Sequence, residues 1–168
     1  MGASHERERR QSSTKEPFAA LREIFAQVDA LMEGWSCDAS TDCCRFGVTG
    51  REPYPTAVEL AMLEHAVKAR GGLPKRRSLP VSDERRCPLL SDAGACLVYR
   101  ARPFGCRTFF CERARGPAGE PARALPRGEI ARLGRDVADL SARFAPGDPG
   151  PRPLSRALRG MTTMTRRR

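Results

Sequence analysis

Apolar positions recur at three- and four-residue steps in three stretches of this chain. Phe18, Leu21, Ile24, Phe25, Val28, Leu31 and Met32 form one stripe, which predicts a helix from about Pro17 to Gly34. Pro17 suits the first turn, where a missing N–H is one of the donors a helix leaves unpaired anyway. Thr56 and Glu59 make a capping box ahead of Val58, Leu60, Met62, Leu63, Ala66 and Val67, and Gly71-Gly72 stops this second helix. Ile130, Leu133, Val137, Leu140 and Phe144 mark a third amphipathic helix.

The stretches between them read as irregular. Residues 1–16 are charged and polar throughout and form a disordered leader in this reading. From Gly72 to Arg86, Pro74, Pro80 and the cations Lys75 to Arg77 describe an exposed connection. Between Cys87 and Cys111 only Leu97-Val98-Tyr99 and Thr108-Phe109-Phe110 suit short strands. Residues 112–127 look like a linker, 128–145 like a C-terminal helix packing on the domain, and 146–168 like a basic disordered tail. The fold class expected is a small, mainly α domain. Two or three helices pack around an irregular cysteine-rich metal-binding region at 17–111, with little β structure.

Composition sharpens the question of what holds such a domain together. Leu, Ile, Val and Phe are only 30 of 168 residues and the net charge is +10, a combination that falls within the signature of disorder. An apolar core would be thin, and seven cysteines offer the missing restraint. The positive charge is less informative. Of 30 cationic residues 27 are Arg, and residues 101–168 hold 15 Arg against 6 acids. Such a tail could touch nucleic acid, but no aromatic follows Phe144 to stack on bases, so nucleic acid is not the favoured partner. No apolar run reaches the length of a signal peptide core or a membrane span, and Glu6 stands where a myristoylation pattern needs Ser or Thr. A cytoplasmic protein with no membrane partner is expected.

In a reducing compartment clustered thiols point to metal rather than disulfides, and an odd count cannot pair completely within one chain. Cys37, Cys43 and Cys44 form one group, and Cys87, Cys96, Cys106 and Cys111 a second, with 42 residues between the groups. Thiolates prefer zinc and iron-sulfur clusters over hard cations. No gap is the CxxC of a zinc ribbon or of thioredoxin-like chemistry, so spacing does not select the metal and leaves open which four of the seven ligate. Adjacent Cys43 and Cys44 diverge in extended chain, so a special turn is needed for both to reach one ion. His65 sits alone among apolar helical residues and reads as structural, while His5 belongs to the leader. Structural zinc supplies about 10–16 kcal/mol to folding, against a domain's total stability of about 5–15 kcal/mol. Metal loss is therefore expected to unfold the chain.

Several of these residues follow a known order. Cys87-Pro88-Leu89, Cys96-Leu97-Val98-Tyr99, Arg102-Pro103-Phe104-Gly105-Cys106-Arg107 and Cys111 succeed an opening of Cys37, Cys43 and Cys44. Over residues 35–111 this resembles the YkgJ-type cysteine-cluster proteins of bacteria and archaea, described as zinc- or iron-chelating domains with a CxxCxxCC opening. Ser40 departs from that opening and occupies the place of the second Cys. The resemblance implies a metal centre drawing ligands from both groups. Arg102 and Arg107 would then offset the −2 charge of four thiolates around zinc or a cluster core, and donate N–H bonds to sulfur. Tyr99 and Phe104 would pack around the site. The protein partner and the metal stay open, and the role is structural, redox or metal-handling. The same cysteine pattern is similar to that of flagellin lysine N-methylases, which brings in protein lysine methylation as an alternative. A metal-stabilised nucleic-acid module is another.

Overall fold

The predicted stripes become three mutually packed helices. In the computed structural model, which describes residues 2–36, 41–73, 85–109, 113–148 and 150–159, with side chains from Thr14 onward, these are α1 (Gly2–Leu31), α3 (Ala57–Ala69) and α5 (Arg127–Phe144). Short helices α2 (Phe46–Thr49), α4 (Phe104–Thr108) and α6 (Leu154–Arg159) complete the α structure of the described residues. Mainly helical architecture is thus observed, and among the described residues β structure is confined to isolated bridges. No described helix is long and apolar enough to cross a membrane.

α1 departs from its predicted start. It begins at Gly2 and carries Pro17 in its interior, where a missing N–H and a ring clash cost about 3 kcal/mol. Residues 2–16, expected as a disordered leader, are helical because Glu, Arg, Gln and Lys are strong helix formers. The helix ends at Leu31, and Gly34 turns the chain with φ of 79°, where a Cβ would lie 2.6 Å from Pro117 Cγ. Phe18, Leu21 and Phe25 of α1 meet Val58 and Met62 of α3 and Val137 and Leu140 of α5. One turn further on, Val28 of α1 and Met32, just past its end, pack with Leu133. α4 meets α5 at Gly134, where a Cβ would stand in ordinary contact, 3.4 Å from the Phe104 ring.

A separate cluster forms on the other side of α3. Leu63 and Val67 pack there with Phe46, Cys87, Leu89, Leu90 and Val98, and with Leu154 and Leu158 of α6. The tail after residue 145, expected to be disordered, is therefore folded as far as Arg159. Leu154 N–H donates to Pro53 O at 3.0 Å, Ser155 N–H reaches the Glu52 carboxylate at 2.5 Å, and Arg152 pairs with Asp148. Two leucines four apart gave too short a stripe to register as a helix, yet both are fully buried. Residues 160–168, which hold the terminal arginines, lie outside the described residues.

Two further expectations change. Thr108 closes α4 and Tyr99–Ala101 is a 3-10 turn; neither forms a strand, and local bonds instead close the turns, Ala101 N–H to Val98 O at 2.8 Å and the Thr108 hydroxyl to Phe104 O at 3.0 Å. Phe110 lies outside the described residues. The described part of the expected linker is docked: Ser36 and Arg115 exchange backbone bonds of 3.0 and 2.9 Å, and Ala114 is fully buried.

Candidate metal centre

Backbone pairing brings the two cysteine groups together. A 3-10 turn at Thr41–Cys44 leads into α2, and there Arg45 lies opposite Arg86 in an antiparallel bridge. Cys87 N–H donates to Cys44 O at 2.7 Å and Phe46 N–H to Arg85 O at 2.7 Å, which sets Cys44 beside Cys87. A tight return follows, in which Leu97 N–H donates to Leu89 O at 2.8 Å and Leu90 bridges Cys96. Cys44 and Cys96 thereby pack against the cluster that holds buried Cys87.

Cys106 arrives from α4, whose start is tied to α3. The Glu59 carboxylate, 4 % exposed, accepts from Thr56 N–H at 2.7 Å, as the capping box requires, from the Thr56 hydroxyl at 2.7 Å, and from Phe104 N–H at 2.6 Å. The last of these links was not visible in the sequence, since nothing in a capping box says what its other oxygen will reach.

The five described thiols act on one another. Cys44 shares its proton with the Cys43 sulfur 4.0 Å away, which lowers Cys43 to about 6 and raises Cys44. Burial, and then the sulfurs of Cys43, Cys87 and Cys106, push Cys44 the same way. Burial pushes the Cys106 thiol well up, with Cys87, Cys96 and Cys43 adding to it. Cys96 is raised by burial, against the pull of the Val98 amide, Arg102 and Arg70. Cys43 itself is exposed and Cys87 is buried.

Soft donors in a half-buried setting fit a soft cation, and one distance bears on the adjacent pair. A tetrahedral zinc with Zn–S of about 2.3 Å has sulfurs ~3.8 Å apart, within a few tenths of the Cys43–Cys44 separation. The 3-10 turn sets the two adjacent sulfurs 4.0 Å apart, in place of the divergence expected of extended chain. No group of three His, Cys, Asp or Glu among the described residues is arranged to hold a metal ion. Cys37, Ser40 and Cys111 lie outside the described residues. His65 is exposed and edge-on to Phe18 at 6.1 Å.

The two arginines separate. Arg107, 5 % exposed, donates Nη1 to both Asp29 oxygens at 2.6 and 2.7 Å, Nε to Arg102 O at 3.0 Å and Nη2 to Arg100 O at 2.6 Å, and lies 4.2 Å over Phe25. Its nitrogens are committed to oxygen acceptors, so no N–H bond to sulfur of the kind expected is made. Arg102 stacks 4.1 Å over Tyr99, its charge opposes the rise of both Cys96 and Cys106, and its buried Nε has no hydrogen-bond partner. Tyr99 is exposed, and Phe104 packs against the cluster formed by the long helices. The roles of Asp29 and of the Arg45–Arg86 pair went unread, since sequence separation hides both contacts.

Comparison of the chain with family models, curated proteins and solved structures gives no match.

Proposed function

We propose that the chain is a soft-metal-binding protein in which thiolates from two sequence segments hold zinc or an iron-sulfur cluster, with a structural, redox or metal-handling role. The observation that carries this reading is the surrounding of Cys106. Burial raises its thiol first, with charge on Cys87, Cys96 and Cys43 adding to it, and Cys106 in turn adds to the rise at Cys44. Thiols that resist ionising side by side become compatible once a cation neutralises them, so binding releases their protons. The ligands are drawn from Cys43, Cys44, Cys87, Cys96 and Cys106, with Cys106 common to every set; Cys37 and Cys111 remain available from the sequence. Bound metal supplies positive charge and a cross-link between the segments. Arg102 offsets the negative charge of the thiolate set and has a free Nε–H for a sulfur acceptor.

Zinc titrated into reduced, metal-free chain against a chromophoric chelator tests the reading. Wild type should take up stoichiometric metal with proton release, Cys106→Ala should lose at least a hundredfold in affinity, and His65→Ala should match wild type. Equal affinities for wild type and Cys106→Ala would exclude the assignment.

A further inference from the structure

The ladder joining the two cysteine segments has an outer face with its own chemistry. Arg45 and Arg86 are directly opposed between the Phe46–Arg85 and Cys87–Cys44 hydrogen bonds. Side chains so opposed leave the backbone on the same side, with Cβ atoms about 4.5–5.5 Å apart. Cys44 closes the 3-10 turn just before Arg45, and Cys87 follows Arg86 into the apolar cluster. Like charges in this position repel. Both residues also hold a buried Nε–H with no hydrogen-bond partner, and an unmet donor on a charged group is costly. The Arg86 contacts use its other nitrogens: Nη2 donates to Ser91 O at 2.6 Å and Nη1 lies 3.8 Å from the exposed Asp92 carboxylate.

We propose that Arg45 and Arg86 form a binding site for a tetrahedral oxyanion dianion, inorganic phosphate or the phosphoryl group of a phosphomonoester. Two guanidinium charges are matched by a dianion and only half matched by a monocarboxylate. Guanidinium forks donate paired N–H bonds to adjacent oxygens, and an anion lodged between the forks satisfies both Nε atoms at once. The bound anion replaces repulsion across the ladder with a bridge. It therefore protects the two amides that pin the cysteine segments together, those of Phe46 and Cys87. This site takes no donor from the thiol centre but rests on the same ladder, so it is titrated in chain whose ladder is closed.

Calorimetric titration of the full chain with inorganic phosphate, and separately with phosphoserine, in chloride buffer of matched ionic strength tests it. Saturable 1:1 binding is expected, weakened at least tenfold in Arg45→Gln and in Arg86→Gln and within twofold of wild type in Arg123→Gln, an exposed arginine on a distant turn. Tighter phosphoserine identifies a monoester ligand, and tighter phosphate the free ion. In wild type, hydrogen exchange at the Phe46 and Cys87 amides should slow at least fivefold on adding phosphate, a result that depends on no variant. Unsaturable binding, equal weakening in all three variants, or unchanged exchange at both amides would overturn the proposal.

Discussion

Every nitrogen of the Arg107 guanidinium has an oxygen acceptor, and the half-exposed Asp29 carboxylate supplies two of them. Removing that carboxylate leaves a buried charge facing nothing. Asp29→Ala should cost about 2 kcal/mol in urea unfolding, a figure discounted from that of a fully buried pair because Asp29 itself faces water. Arg107→Lys should not restore a planar fork. At the thiols, Cys43 ionises at about 6 because the Cys44 S–H supports its thiolate. In metal-free, reduced protein its alkylation by iodoacetamide should rise through pH 6 and level off near neutrality. Cys106, whose thiol is pushed up by burial, should label only in alkali; peptide mass spectrometry reads both rates. Equal labelling of the two at pH 7 would contradict this assignment. Arg102 and Arg107 also show what a sequence can and cannot tell. Both sit in one motif, five residues apart, and both reach Asp29, Arg107 at 2.6 Å and Arg102 at 3.9 Å, yet only Arg107 has every nitrogen taken by an oxygen acceptor.

At the scale of elements, legibility followed the length of the hydrophobic pattern. α3 and α5 were predicted by stripes and a capping box that span whole helices, and their buried faces are the predicted ones. α6 was missed because six residues with two leucines make no stripe; its burial is decided by where residues 52–55 lie, which is a tertiary fact. Leu154 is fully buried among Phe46, Leu63 and Leu89. Leu154→Ala should therefore destabilise by about 3 kcal/mol, as deletion of a buried leucine does, measured by chemical denaturation. It should also loosen the packing around Cys87. A cost below about 0.5 kcal/mol would mean that α6 does not pack as described. The pairing of Cys44 with Cys87 was illegible for a related reason, since 42 residues separate them and no periodicity reports a single bridge.

Over the whole molecule, α3 is shared by two apolar regions. Val58 and Met62 face α1 and α5, while Leu63 and Val67 face the cysteine segments. Few apolar residues suffice because nearly all of those on the three long helices are placed in one region or the other. This revises the expectation that metal loss unfolds the entire chain. The α1, α3 and α5 packing contains no thiol, so chelation should open the ladder at residues 44–46 and 85–87 while most helical signal in circular dichroism persists. Whether sulfur from the two segments shares a soft metal is read most directly by metal analysis of reduced, full-length chain purified without oxygen. Wild type should carry a stoichiometric zinc, or iron with a visible absorption that dithionite bleaches, and Cys106→Ala should carry neither while keeping its helices. A folded wild-type protein holding no zinc or iron under those conditions would contradict the account.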